Sequence, residues 1–317
     1  MATLITDAIG KVWDTTDDRA GVFYTQFLKE YKTPHARAIS IPVAYFGEVG
    51  KLAEGSALDY DDIEVGTALE IAPEQFAKGF RATRAALLDM AKNPFGEFST
   101  QKIVSAANLG KAFKDSWKQT LDVYGAQVLL SGNSASASAK WIGAGNNGEA
   151  LYADTHTILK GTAILGSTTY DNLGAASTLS QGALNTLIES TETMPSQEGM
   201  LRSYSNKWTL VTGPANRTEA TEAVYTAKMN KVADSFDQTK PALSNYDITP
   251  VINPFLGASS TRYAIFSDKA QVYYWIPDNA QIEDEKDFET KGHKWSVYGR
   301  FRFFHTDSFG TVLSLGA

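Results

Sequence analysis

The sequence contains no cysteine. That absence removes disulfides, thiolate catalysis and Cys-ligated zinc or iron–sulfur sites. It leaves the compartment open, because a chain without cysteine suits a reducing or an oxidising one. No run of 18 apolar residues occurs, and the opening "MATLITDAIGKVWDTTDD" lacks a basic segment followed by an apolar one, so neither a membrane span nor a signal peptide is expected. Positive charge is in deficit: 29 Lys and Arg stand against 36 Asp and Glu, a formal charge of -7. Such a balance argues against gripping nucleic acid by phosphate neutralisation as the main task, though not against lying beside it. With 317 residues there is interior enough for a core without staples, in one large or two interleaved domains.

What is present divides into recognisable segments. Residues 17–31, "DDRAGVFYTQFLKEY", place Val22, Phe23, Phe27 and Tyr31 at helical spacing behind two acids, which predicts a short amphipathic helix. Residues 36–84 are strand-like at both ends, through Ile39, Ile41, Val43 and Tyr45 and then Phe76, Phe80 and Ala82, with a Gly-rich acidic middle from Gly47 to Glu70 that has no apolar stripe. A projection of that length is either a loose insertion or a segment that packs on something else. After Pro94 and the capping candidates Ser99 and Thr100, the residues Ile103, Ala107, Gly110, Phe113, Trp117, Leu121, Tyr124 and Val128 step by three or four. They predict one long helix over 101–131, roughly 45 Å, ended by Gly132. Lys111 with Asp115 and Lys118 with Asp122 are i,i+4 pairs assigned to its wet side.

Residues 133–150 are small and polar and form a surface connection. Ser180 then opens a helix carrying Leu184, Leu187 and Ile188; "KWTLVTG" is a buried strand and "ANRTEATEAVYTAKMN" a helix. "YDITPVI", "RYAIFS" and "QVYYWIP" are strands, and the acidic "DNAQIEDEKDFETKG" is read as a loop. From His293 the chain alternates, with Trp295, Val297, Phe301 and Phe303 against Ser296, Tyr298, Arg300 and Arg302, a long strand with two unlike faces.

Candidate chemistry is sparse. Gly143, Gly145 and Gly148 match G-x-G-x-x-G, but a Ser/Ala linker stands where the strand of a dinucleotide unit belongs. Asp154 and His156 in "ALYADTHTILKG" suggest a general base oriented by a carboxylate, with Ser167 or Thr169 as nucleophile. No G-x-S-x-G accompanies them, and His35, His293 and His305 lie far off in sequence, so a local Asp and His tying a turn together is the default. "DYDDIE" at 59–64 is acidic like a calcium loop but lacks its glycine and distal glutamate. Asn216-Arg217-Thr218 satisfies the glycosylation pattern and reads as chance without a secretion signal.

The order of these parts, with "GFRATRAALLD", "ALYADTHTILKGTAILGSTTYDNLGAASTLSQGAL", "KWTLVTGPANRTEA" and "YDITPVINPFL", resembles the major capsid protein of tailed bacteriophages with the Hong Kong 97-type fold, nearest the Mu-like head-subunit branch. The resemblance implies an α+β capsid fold: an N-terminal arm (1–35), an extended β-hairpin loop (36–84), a peripheral domain (85–178) built on the spine helix 101–131, an axial domain (179–289), a long strand (290–307) returning to the peripheral domain, and a C-terminal segment (308–317) in the axial domain. It further implies a structural, non-enzymatic shell protein enclosing double-stranded DNA, without catalytic, cofactor or metal residues. Intersubunit contacts would come from the loop residues Glu48, Lys51, Glu54, Asp59, Asp61, Asp62 and Glu64. The implied partners are many copies of the same chain in pentamers and hexamers, portal and scaffold proteins and a decoration protein, with no membrane; the implied place is the virion capsid, assembled in the host cytoplasm. No scaffolding extension precedes the arm, so a separate scaffold or prior cleavage is expected. An encapsulin-like compartment shell and a hydrolase using His156 are the alternatives.

Overall fold

The computed structural model describes residues 22–46, 57, 60–85, 106–136, 145, 148–160, 168–228, 243, 245–286 and 292–317. The long helix is α1 (Ala106–Leu130). Gly110, Phe113, Leu121 and Val128 of the expected stripe are buried, with Trp117 and Tyr124 half-buried beside them; Ile103, like Pro94, Ser99 and Thr100, lies outside the described residues.

Residues 22–31 do not form the expected amphipathic helix. A single 3-10 turn (Tyr24–Gln26) leads into a two-residue strand, β1 (Lys29–Glu30). Two forces redirect the chain. The Asp122 carboxylate, fully buried on α1, accepts the backbone N–H groups of Phe23 (2.9 Å) and Tyr24 (3.4 Å), and the Tyr24 ring packs edge-on to Tyr274 and Phe303. Asp122 is therefore not on the wet side of α1: its charge is spent on orphan amides. Gly125 allows the close approach, since a Cβ there would sit 2.5 Å from that of Tyr24.

Among the described residues fourteen further strands follow: β2 (Ala38–Ser40), β3 (Val43–Ala44), β4 (Glu64–Val65), β5 (Leu69–Ile71), β6 (Glu74–Ala82), β7 (His156–Thr157), β8 (Thr169–Tyr170), β9 (Leu173–Gly174), β10 (Lys207–Thr212), β11 (Asp247–Ile252), β12 (Tyr263–Ser267), β13 (Val272–Lys286), β14 (His293–His305) and β15 (Thr311–Ser314). One sheet has the order β1-β13-β14-β6. Its centre, β14, alternates as its sequence predicts, burying Trp295, Val297, Phe301 and Phe303. The Phe301 ring stacks on Phe76 of β6 at 3.9 Å and meets Trp117 and Tyr124 of α1 edge-on at 5.5 and 5.1 Å, which binds helix to sheet.

The acidic stretch expected as a loop from 278 is mostly strand. β13 continues to Lys286 and pairs antiparallel with β14, with register shifts on either side of Asp278. Its acids are matched by the partner strand: Asp278 pairs with Arg300, Asp284 with His293 at 2.6 Å, and Glu285 stands opposite Lys294. Cross-strand charge pairs make an acidic run compatible with a ladder.

The second sheet has the order β11-β10-β12-β15-β9 and carries α2 (Gln181–Glu192) and α3 (Arg217–Lys228). Ser180 caps α2 by accepting the Ala183 N–H. Leu184, Leu187 and Ile188 of α2 and Ala220 and Val224 of α3 pack with Leu210, Ile265 and Val312 of the sheet in one buried cluster.

Candidate functional site

His156 sits in β7, opposite Tyr170 of β8, and its ring stacks on the Tyr170 ring at 5.0 Å. Its Nε2 is 2.8 Å from Asn172 Oδ1; its Nδ1 is 3.1 Å from Glu149 Oε2 and 3.2 Å from Ser308 Oγ. Asn172, fully buried, donates to the carbonyls of Leu151, Ser308 and Thr311 and accepts the Ala153 N–H. Burial opposes ionisation of Glu149, but hydrogen bonds from His156 and the Thr157 N–H outweigh it and hold the carboxyl below its usual range. One histidine thus ties together segments from 149–157, 170–172 and 308–311.

That geometry differs from the hydrolase arrangement expected from the sequence. Asp154 is exposed and does not orient His156; Glu149 and Asn172 do. Thr169 is paired in β8 opposite Thr157, and Ser167 lies outside the described residues. Ser308 Oγ reaches the ring on Nδ1, the nitrogen that also faces Glu149, while Asn172 takes Nε2. The Ser308 Oγ is also held 2.6 Å from the Tyr170 hydroxyl, and the void lined by Glu149, Gln197, His305 and Asp307 is only about 10 Å³.

The glycine motif also resolves into packing. Gly145 lies against His305, where a Cβ would fall 2.4 Å from the ring, and Gly148 takes φ +77 in a turn closed by its own N–H to the Gly145 carbonyl; Gly143 is outside the described residues. Asn216 spends its amide nitrogen on Thr212 and the Thr261 carbonyl inside the protein, so the sequon presents no acceptor. Among the described residues no group of three His, Cys, Asp or Glu is placed to hold a metal, and no helix is long and apolar enough to cross a membrane.

The same junction titrates. Asp307 is half-buried as a residue, but burial of its carboxyl pushes it up to about 6, against hydrogen bonds from Ser308 and Gln197 and the nearby Arg202 and His156. His305, enclosed two residues earlier, is pushed down to about 3 by burial. A carboxyl raised on folding contributes stability below its unfolded pKa and loses it as pH rises through the folded one; the neutral His305 contributes above its unfolded pKa and loses its contribution as pH falls. In a comparison of D307N with the parent the histidine cancels. We expect D307N to be more stable than the parent by about 1–2 kcal/mol at pH 8, with the advantage gone at pH 4. Urea unfolding at the two pH values checks this, and an advantage unchanged between them contradicts it.

The other candidate surface is the hairpin. β2 pairs with β5 and β3 with β4 in a hairpin ladder. Of the expected contact residues, Asp61, Asp62 and Glu64 stand exposed on it, while Glu48, Lys51, Glu54 and Asp59 lie outside the described residues. Reasoning from charge missed the apolar side chains. Ile39, Ile41, Tyr45, Phe46, Tyr60, Ile63 and Val65 are all exposed, Tyr60 by 86%, and only Leu201 and Tyr225 match them elsewhere among the described residues. Exposure of large apolar side chains is thus concentrated on this hairpin among the described residues. The available signal was the i,i+2 spacing of Ile63 and Val65, hidden among acids.

The sequence profile of a family described as phage capsid protein matches residues 66–312. A search of curated protein sequences finds no match. Among solved structures, the capsid of the native GTA particle aligns with a TM-score of 0.55 at 14% identity, over 94% of this chain and 91% of that one. The Microbacterium phage Oxtober96 structure aligns at 0.54 and 12%, over 95% and 93%, and that of Mycobacterium phage Che8 at 0.52 and 11%, over 94% and 92%. At such identities the likeness is one of fold.

Proposed function

This chain belongs to the phage capsid protein family, and from that premise we propose that many copies of it close into the icosahedral head of a tailed phage around double-stranded DNA. The observation that carries the reading is the hairpin. A hairpin with seven exposed large apolar side chains can bury them by lying across a neighbouring copy. Burying each side chain is worth about 1.5–3 kcal/mol, so the gross gain per copy is on the order of 10 kcal/mol before association entropy is subtracted. Heterologous contacts of this kind close into rings of five and six when the rotation allows. A net charge of -7 suits a container that must not hold its cargo by phosphate contacts.

The proposed division keeps an arm at 1–35, the loop at 36–84, peripheral segments at 85–178 and 290–307, and axial segments at 179–289 and 308–317, with one shift. Because β13 pairs along β14, residues 272–286 are assigned to the peripheral side. Glu48, Lys51, Glu54, Asp59, Asp61, Asp62 and Glu64 would form the polar rim around the hairpin's apolar contacts. Portal, scaffold and decoration proteins are the further partners of this reading, the host cytoplasm the place of assembly, and the Mu-like heads the nearest branch. Electron microscopy of the purified protein, with its scaffold protein where one is required, tests the reading. Closed shells of uniform size are expected; persistence of single subunits under every assembly condition overturns it.

A further inference from the structure

Beyond its root the hairpin is held at a second point. Lys160, three residues past β7 on the body of the subunit, reaches into the hairpin base. Its ammonium donates to the backbone carbonyls of Tyr45 and Asp62 and lies 2.6 Å from the Asp61 carboxylate, with the Phe46 ring centroid at 5.6 Å. The Lys160 side chain is only 12% exposed. Lysine is rarely enclosed to that degree unless its charge is matched. Here its three donor directions meet three hairpin oxygens. Tyr45 belongs to the outgoing arm, just past β3, whereas Asp61 and Asp62 belong to the returning arm, just before β4. One ammonium therefore joins both arms to each other and to the body.

At this level the hairpin is otherwise held by the small buried side chain of Ala44 and by the Gly66 N–H, which donates to the Pro42 carbonyl. β3 and β4 share only two register pairs, Val43 with Val65 and Ala44 with Glu64, and a two-stranded ladder of that length is marginal by itself in water. The firm packing is lower down, where Ala38 and Ile71 are buried against Trp275 and Phe304. We propose that Lys160 is the positioning residue that sets the angle at which the hairpin leaves its own subunit. The inference rests on the reading that the hairpin engages a neighbouring copy. In a ring built from heterologous contacts, the rotation between neighbours decides whether the assembly closes, so an angular error repeated at every contact opens or distorts it.

K160M tests this by removing the ammonium while keeping an unbranched side chain; K160R restores charge, and D61N weakens one of the three contacts. In the unassembled subunit, hydrogen exchange of the described amides at 43–46 and 61–65 should quicken about tenfold in K160M, with β14 amides unchanged. K160R should return part of that protection and D61N should lose part of it. Under assembly conditions K160M should give open sheets, tubes or shells of mixed size where the parent gives one size. A variant with residues 41–68 removed separates the two levels of the argument. If that variant fails to assemble while K160M exchanges and closes like the parent, the clamp is refuted and the hairpin reading stands. If the excised variant still forms shells, the hairpin reading itself falls. Should K160M not fold, D61N carries the test, and exchange and assembly both identical to the parent would overturn the proposal.

Discussion

Replacing residues 41–68 with Asn-Gly yields a subunit that folds and does not form closed particles. Ser40 and Leu69 are register partners at the last pair of the β2–β5 ladder, so a two-residue type I′ turn can join them without disturbing the pairs below. Ala38 and Ile71, buried against Trp275 and Phe304, remain in place. What is lost is a segment whose large side chains Ile41, Tyr45, Phe46, Tyr60, Ile63 and Val65 are exposed in the single subunit, so that among its described residues the small side chain of Ala44 is what the core gives up. The melting temperature should stay within about 3 °C of the parent. Particle yield, read by sedimentation and electron microscopy, should fall by about a hundredfold or more, since several kcal/mol per contact vanish around the whole lattice. Shells from this variant at the parental yield would show that the hairpin is dispensable.

Phe301→Ala has the opposite profile: it strikes the subunit before the assembly. Phe301 is 1% exposed and lies among Phe76, Trp117, Tyr124 and Phe303. Truncating it removes the ring and leaves a cavity that strand β14, held on both sides by β13 and β6, cannot close by moving. Substitutions of this kind cost about 3–5 kcal/mol, a large part of the roughly 5–15 kcal/mol that holds a domain together. The expected drop in melting temperature is about 10 °C. Phe301→Leu, which keeps most of the volume, should cost less than about 2 kcal/mol. Because β6 is the strand that carries the chain away from the hairpin, assembly should fail as well. An F301A subunit as stable as the parent would mean that this aromatic cluster is not what joins the spine helix to the sheet.

The long elements were legible because their periodicity is produced by one-sided burial. Phe113, Leu121 and Val128 on α1 and Trp295, Val297, Phe301 and Phe303 on β14 are buried at the spacing the sequence shows. Two segments were read differently from what the structure contains, each for a reason that lies in a distant partner. The helical spacing of residues 22–31 gave way to Asp122, which claims two of their amides from about a hundred positions away. The acids after Asp278 looked like a loop until Arg300, His293 and Lys294 came opposite them. The outgoing strand of the hairpin was legible, but its charges concealed how many of its apolar side chains are exposed. Asp154 drew attention next to His156, whereas Glu149 and Asn172 hold the ring. Sequence adjacency says little about which carboxylate a buried histidine faces once a strand turns neighbouring side chains to opposite sides.

The central claim is that a neighbouring copy covers the hairpin's apolar face. A chain without cysteine offers a clean probe of it, because Ile63→Cys introduces a unique thiol at a position 55% exposed in the single subunit. Thiol labelling before and after assembly, followed by a short bifunctional cross-linker, reads the environment of that position. The account expects rapid labelling of free subunits, strong protection in closed particles, and cross-links that join different chains. Labelling equally fast in both states, with cross-links confined to single chains, would contradict it.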